Sequence, residues 1–222
     1  MKSRLLASSA LALILALAGP ARAGDATDWS GAYLGLGFAG TATQGVITTN
    51  GYGSADVTRF GAVPTLAAGY NLDSGRFVLG IEGDITPLGF HATGTTVGGV
   101  TGDADFDAQM HALITGRVRA GLKADHALLF ATAGLAAANG ALSTSYSDSG
   151  KNVHVTGRMS GIVVGAGAEY ALNDTMTLKA DALYFRLAPL SGQASGPFSP
   201  DHSASLATDG VVVRGGINFR IP

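Results

Sequence analysis

Acidic and basic side chains recur at every second position in several short segments, where the chemistry open to them is ion pairing. Glu82 and Asp84 lie in the middle of RFVLGIEGDITPL, and Arg117 and Arg119 lie in MHALITGRVRAGL. Later segments of the same kind add Glu169, the pair Lys179 and Asp181, and Arg214. Because residues two apart in a β-strand share one face, we predict that these four acids and four bases form a network of ion pairs.

A second acidic segment, GDADFDAQ, places Asp103, Asp105 and Asp107 at alternate positions, and carboxylate oxygens are ligands that Ca²⁺ prefers. The EF-hand pattern fails, because Ala108 stands where that loop needs glycine and Ile114 stands where it needs glutamate. The five histidines are scattered without the spacing of a metal site. We therefore expect a solvated acidic loop and no cofactor, and keep a weak divalent-cation site as the alternative.

Nucleophilic catalysis would need a serine or threonine, a histidine and an acid that meet on adjacent strands. His154 with Ser160 or Thr156 and Glu169 is the best set in the sequence. Because these residues lie at the border between a strand and a loop, we expect a protein that is not an enzyme.

The elements that position these residues are strands. Seven segments alternate apolar and polar residues: WSGAYLGLGFAG, LAAGYNL, RFVLGIEGDITPL, MHALITGRVRAGL, IVVGAGAEY, TLKADALYF and VVVRGGINFRI. The fourth places Met110 and Ala112 on its apolar face and His111 on its polar face. An eighth segment, LLFATAGLA at 128–136, is apolar on both faces, so the sequence does not assign its orientation.

The connections between these segments alternate in length. NLDSGR, KADHA and ALNDTM are short turns, whereas long segments rich in Gly, Ser, Thr and Asp follow the odd-numbered strands, near 40–62, 87–108, 137–156 and 188–209. Short turns at one end and long loops at the other predict an all-β fold, an eight-stranded antiparallel up-and-down transmembrane β-barrel.

The two ends of the chain and its charge define the compartment. Residues 1–23 have two early basic residues, an apolar run and a small-x-small ending, which predicts a signal peptide removed after Ala23 and one domain over 24–222. Loss of its three basic residues would change the formal net charge from −2 to −5. No run of Lys or Arg is present, which argues against nucleic acid as a partner.

Which face of the strands points outward decides between two kinds of barrel. In a soluble lipocalin-like barrel, the interior is apolar and the charges are exposed. In a membrane barrel, the apolar face contacts lipid and the charges fill the interior. The apolar faces almost lack Lys, Arg, Asp and Glu, which favours lipid outside. Aromatic residues near strand ends suit interfacial girdles, namely Tyr70, Tyr170, Tyr184 and Phe219.

Taken together, DWSGAYLGLGFAG, GYNLDSGRFVLGIEGDI, GAGAEYAL and VVVRGGINFRI resemble the small porin-like, OmpA-type outer-membrane β-barrels of Gram-negative bacteria, which are similar to opacity proteins. The likeness spans nearly the whole chain after residue 23. It implies a location in the cell outer membrane and an ending that barrel-assembly machinery recognises. Gly216, Phe219 and Ile221 match that ending, whereas Pro222 replaces the usual terminal aromatic.

The resemblance implies a structural, envelope-integrity role or a porin-like role. Expected partners are outer-membrane lipids, lipopolysaccharide and the assembly machinery, with haem or host factors among the ligands that such surface loops bind. Two alternatives stay open: a periplasmic, lipocalin-like ligand-binding barrel and, less favoured, a lipid-modifying outer-membrane enzyme.

Overall fold

The computed structural model describes residues 28–50, 53–97, 103–146, 152–193 and 203–221, and these residues form eight β-strands. The strands are β1 (Gly31–Thr49), β2 (Gly53–Ser74), β3 (Phe77–Val97), β4 (Asp103–Ala124), β5 (Ala127–Tyr146), β6 (Asn152–Ala171), β7 (Met176–Gln193) and β8 (Ser203–Ile221). Within those ranges no helix is long and apolar enough to cross a membrane. The predicted signal peptide and Pro222 lie outside the described residues.

Each strand pairs antiparallel with its neighbours in sequence, and β8 pairs with β1, so the sheet closes into a ring. This confirms the predicted eight-stranded up-and-down barrel. The short turns are also where the sequence placed them. Two residues, Gly75 and Arg76, join β2 to β3, and the positive φ of 72° at Gly75 suits a residue without a Cβ.

The strands are strongly tilted and long. Following paired residues around the ring from Leu34 returns to β1 at Gln44, ten positions further along the strand. Such a stagger requires a tilt of roughly 40°. Strands of 18 to 22 residues at this tilt extend about 50 Å along the barrel axis. This is twice the height of about 25 Å that the apolar band of a membrane barrel occupies.

One half of the outer surface is an apolar belt next to the short turns. The belt is made of outward-facing large apolar side chains on all eight strands, among them Leu36, Leu66, Ile81, Val118, Leu135, Ile162, Leu178 and Val213. All four predicted girdle residues also face outward and are half-exposed. An exposed surface of this extent is unstable in water but suits the hydrocarbon of a membrane.

The prediction of long loops is wrong over most of their length. In the structure β1, β3, β5 and β7, and the strands that return from them, continue through the Gly-, Ser-, Thr- and Asp-rich segments. The alternation persists there with its polarity inverted. On β4, for example, Ala104 and Phe106 face inward while Asp103 and Asp105 face outward. The polar composition reflects strands with water outside, which have the same composition as loops.

These extensions form a water-exposed head, defined here as the parts of the strands beyond the apolar belt. Its interior is a compact apolar core that includes Ile47, Phe90, Met110, Leu142, Met159, Phe185 and Leu206. Polar residues outside and apolar residues inside are the arrangement of a protein folded in water, the reverse of the membrane half.

Bulges change the facing of some strands where the belt meets the head. Pairing shifts between Met110 and Leu113 on β4, and an extra residue on one strand switches all later side chains to the opposite face. Met110 is therefore inside and only 1% exposed, while His111 is outside and Ala112 lies within the bulge. The sequence prediction has the facing of Met110 and His111 reversed, because it assumes an uninterrupted alternation.

Two strand pairs separate in the head. Pairing between β2 and β3 ends at Leu66 and Ile85, and pairing between β6 and β7 ends at Gly161 and Leu187. The strands on either side continue, each paired only with its other neighbour. The head is consequently two four-stranded sheets, β7-β8-β1-β2 and β3-β4-β5-β6, that face each other across the apolar core.

The belt predicts where a charge is harmful. Val118 is 62% exposed in the middle of the lipid-facing run of β4. Val118→Arg should lower the free energy of unfolding in lipid vesicles by about 2 to 4 kcal/mol, because the guanidinium would lie in hydrocarbon. Thr156→Arg, on the outside of the head, should change it by less than about 0.5 kcal/mol. Equal losses in urea titrations of the two variants would contradict a membrane belt limited to one half.

The head core predicts a second contrast, between two valines in segments that composition alone assigns to loops. Val153 is buried in the head core, whereas Val97 is 75% exposed. Val153→Ala should cost about 2 kcal/mol through lost burial and a cavity, and Val97→Ala should be nearly silent. Chemical denaturation of both variants, followed by circular dichroism, checks this. A silent Val153→Ala would mean that the head has no packed core.

Candidate functional site: the charged interior

The eight charged residues grouped in the sequence all point into the barrel. Each is at most 8% exposed: Glu82, Asp84, Arg117, Arg119, Glu169, Lys179, Asp181 and Arg214, called here the charge layer. They come from β3, β4, β6, β7 and β8 at the level of the apolar belt, because their neighbours along the strands, such as Ile81 and Val118, face outward. Strand alternation thus places lipid-facing and charged side chains on opposite sides of one wall.

Glu82 is the centre of the layer. All four bases lie within ion-pair distance of its carboxylate: Arg117 and Lys179 by short contacts, Arg214 at 3.4 Å and Arg119 at 3.6 Å. The hydroxyl of Tyr33 also donates a hydrogen bond of 2.6 Å to it. A carboxylate buried this deeply stays ionised only when positive groups surround it.

The remaining acids are paired as closely. Arg214 donates two hydrogen bonds to the Asp181 carboxylate, one of 2.7 Å from Nε and one of 2.6 Å from Nη2. Asp84 lies 2.6 Å from Arg117 Nη2 and accepts a hydrogen bond of 2.5 Å from Thr115. The bidentate geometry is the strongest that an arginine makes with a carboxylate.

Several of these pairs cross the lumen, which the sequence did not indicate. Glu82 and Asp84 do pair with Arg117 on the neighbouring strand β4. In the structure Glu169 on β6 accepts a hydrogen bond of 2.8 Å from Arg119 on β4, and Lys179 on β7 reaches Glu82 on β3. Only closure of the barrel brings these strands face to face.

Two aromatic residues belong to the site and were missed in the sequence. Tyr33 accepts a hydrogen bond of 3.1 Å from Arg119, and the ring of Phe130 lies 4.1 Å from the same guanidinium. A cation over an aromatic face is stabilised further in a site without bulk water. Tyr33 could have been found in the sequence, because it is a bulky residue on the same face of β1 as Gly35 and Gly37.

The charges of the layer, four acids and four bases, cancel, so its formal charge is zero. A cavity of about 30 Å³ remains beside Lys179, Asp181, Arg214 and Asn218, which is room for about one water molecule. Asn218 Nδ2 and Arg117 Nη1 are buried without a protein partner among the described residues, and ordered water is their expected partner. The arrangement can neutralise and fill the interior.

Apolar side chains cover the layer at both ends. The head core lies on one side, and Trp29, Val78, Leu128 and Ala171 form a floor at the end with the short turns. The guanidinium of Arg220 stands 5.9 Å from the Trp29 ring. The interior is therefore filled at three successive levels.

The candidate cation site does not assemble. Asp103, Asp105 and Asp107 face outward along β4, and their neighbours engage them separately: Thr95 donates to Asp105, while Gln109 and His91 contact Asp107. The hydrogen bond from His91 lowers the pKa of Asp107, which lies in the head. In the described part of the chain, no three His, Asp or Glu residues are placed to hold a metal ion.

The candidate catalytic set is also not assembled. His154 lies outside on the head, where its Nδ1 is 2.7 Å from Ser143 Oγ. Glu169 lies inside the barrel, bonded to Arg119. The wall of the barrel separates the two residues, so they cannot act together.

The residues of the proposed assembly signal lie where β8 meets β1. A Cβ on Gly216 would stand 2.3 Å from the carbonyl oxygen of Leu36, so this position requires glycine. Phe219 and Ile221 face outward beside the short turns.

A closed antiparallel ring with an apolar outer belt and a neutralised, filled interior defines a small transmembrane β-barrel. The family model described as "Outer membrane protein beta-barrel domain" matches residues 9–217. The chain belongs to this family and is located in the outer membrane of a Gram-negative bacterium, which confirms the resemblance seen in the sequence.

Relatives with names are also outer-membrane proteins. The chain is 33% identical over 175 residues to the 31 kDa outer-membrane immunogenic protein of Brucella melitensis, covering 72% of each protein. It is 31% identical over 159 residues to the 22 kDa outer membrane protein of Rhizobium leguminosarum bv. viciae, covering 72% of this chain and 64% of that protein. The crystal structure of OprG from Pseudomonas aeruginosa shares the fold, with a TM-score of 0.57 and 13% identity over 88% of this chain and 98% of that one. None of these names supports the periplasmic alternative.

The charge layer predicts a large effect for one arginine. Arg117→Ala should lower the free energy of unfolding by about 3 to 5 kcal/mol, because Glu82 and Asp84 would each lose a close cation in a buried site. Arg158→Ala, on the exposed outside of the head, should change it by less than about 0.5 kcal/mol. Urea titrations in vesicles check both values. Indistinguishable titrations would show that the paired charges are not part of the stable fold.

Proposed function

We propose that this protein is a closed, structural barrel of the outer membrane that carries a rigid head at the cell surface. Its proposed role is to stabilise the envelope, in preference to porin activity or catalysis. The observation that carries the proposal is the filled interior, with the floor at Trp29, the charge layer and the head core stacked one upon another. Such an interior leaves no continuous path for a hydrated solute.

The size of the ring supports this reading. Eight strands enclose an interior that side chains can fill, whereas general porins use sixteen or more strands around an aqueous channel. The cavity of about 30 Å³ in the charge layer has room for water and is too small for a nutrient. A porin-like role would need the interior to rearrange.

The partners proposed from the sequence fit separate surfaces. Lipid chains and lipopolysaccharide would contact the apolar belt and the rim above it. The assembly machinery would recognise the end of β8 at Gly216, Phe219 and Ile221. External ligands, haem and host factors included, would meet the polar outside of the head instead of twenty-residue flexible loops.

Conductance tests the closed interior. Purified wild-type protein in a planar lipid bilayer should show no large, steady channels. Glu82→Ala with Arg117→Ala should remain closed, because the head core still blocks the path. Adding Phe90→Ala and Phe185→Ala in the head core and Trp29→Ala in the floor, which removes rings from both remaining levels, should allow measurable currents.

Each variant is first checked for heat-modifiable migration on a denaturing gel, which reports a folded barrel. Large, steady currents from the wild type would overturn the proposal and make porin activity the leading function. A deletion strain should also become more sensitive to detergent, and both the wild type and the closed double variant should restore its resistance.

A further inference from the structure

The seam between β2 and β3 is one of two strand contacts whose backbone pairing stops well before the strands end. Pairing stops at Leu66 and Ile85, although β2 extends to Gly53 and β3 extends to Val97. Both Leu66 and Ile85 face outward and belong to the apolar belt. The backbone ladder therefore ends inside the region that contacts lipid, where unpaired polar groups are costly.

The sequence itself interrupts the ladder at this point. Pro64 pairs with β1 and Pro87 pairs with β4, so one proline stands on each side of the seam. Proline has no amide hydrogen to donate and is tolerated in a strand whose free edge faces no partner. Next to Pro87, Gly89 has a positive φ of 57° and open space in place of a side chain.

Side chains, instead of backbone groups, hold the seam closed. Thr65 Oγ1 donates a hydrogen bond of 3.1 Å to the carbonyl of Ile85 and lies 3.1 Å from Thr86 Oγ1. Further out, Arg59 Nε donates to the carbonyl of His91 at 2.9 Å. A few side-chain hydrogen bonds are worth much less than a continuous ladder, so this wall segment opens at lower cost than the fully paired strands.

The part of the seam next to the apolar belt has apolar residues on both faces of the wall. Phe60, which is 77% exposed, Pro64 and Pro87 flank it outside. Leu88 and Phe90 lie behind it in the head core. The second seam, between β6 and β7, lacks this property, because Arg158, Ser160 and Ser191 face outward beside it.

We propose that the β2–β3 seam is a lateral opening that binds one unbranched hydrocarbon chain. The chain inserts from the outer leaflet between Pro64 and Pro87 and lies against Leu88 and Phe90. The narrow gap between two strands excludes bulky or hydrated molecules, and the apolar flanks favour a methylene chain. The exposed guanidinium of Arg59 stands at the outer edge of the seam, where it would contact an anionic head group on the chain.

A disulfide lock tests the opening, since the chain contains no cysteine of its own. Thr65→Cys with Thr86→Cys should cross-link across the seam, because the two hydroxyl oxygens are 3.1 Å apart. Gln109→Cys with Ala141→Cys, at facing positions of the paired strands β4 and β5, is the control lock. Each protein is reconstituted in phosphatidylcholine vesicles and irradiated with diazirine probes, and labelled residues are located by mass spectrometry.

A diazirine-bearing free fatty acid should label Leu88 and Phe90 in the wild type, together with the lipid-facing residues Ile81 and Val118. The oxidised seam lock should lose the labels on Leu88 and Phe90 and keep those on Ile81 and Val118. Reduction should restore the lost labels, and the control lock should leave the whole pattern unchanged.

Two further arms identify the source of the chain and the role of Arg59. A phospholipid with the diazirine on its acyl chain separates membrane lipid from free fatty acid as the source. Arg59→Gln should reduce core labelling by the fatty acid and leave labelling by the corresponding neutral alcohol unchanged. Absence of core labels in the wild type, or core labels that persist in the oxidised seam lock, would overturn the lateral opening.

Discussion

A carboxylate buried at the centre of the barrel is the interaction on which the rest of the structure depends. Glu82 is surrounded by four bases from β4, β7 and β8, and these bases in turn hold Asp84, Glu169 and Asp181. Removing water from so many charges is stable only when every charge has its partner, which fixes the register of five strands. Once these side chains point inward, alternation turns the apolar residues toward lipid.

The same eight strands are stable in two solvents because their polarity inverts along their length. In lipid the wall has apolar residues outside and charges inside, and in water it has polar residues outside and the apolar core inside. Bulges at the border allow strands such as β4 to change the facing of their side chains without breaking the ring. The half outside the membrane is consequently a folded sandwich continuous with the barrel.

Family membership and the filled interior both support the proposed role as a closed barrel of the outer membrane. The relatives carry names that state an outer-membrane location, and the barrel's interior is occupied by its own side chains. The proposed lateral opening is compatible with this closed role, because it lies in the wall and leaves the charge layer intact. Thr65 and Arg59, which close it, make hydrogen bonds across the seam to Thr86 and to the carbonyl groups of Ile85 and His91.

The sequence by itself determined the strand count, the ring, the short turns and the inward facing of all eight charged residues, because these depend on local alternation and turn chemistry. It misjudged the segments near 40–62 and 87–108, since a strand with water outside has the composition of a loop. It reversed Met110 and His111, because a one-residue bulge leaves no mark in composition. Only the tertiary structure decided that Arg119 meets Glu169, that Lys179 meets Glu82 and that β2 separates from β3. Those contacts join strands distant in sequence, and their geometry exists only after the ring has closed.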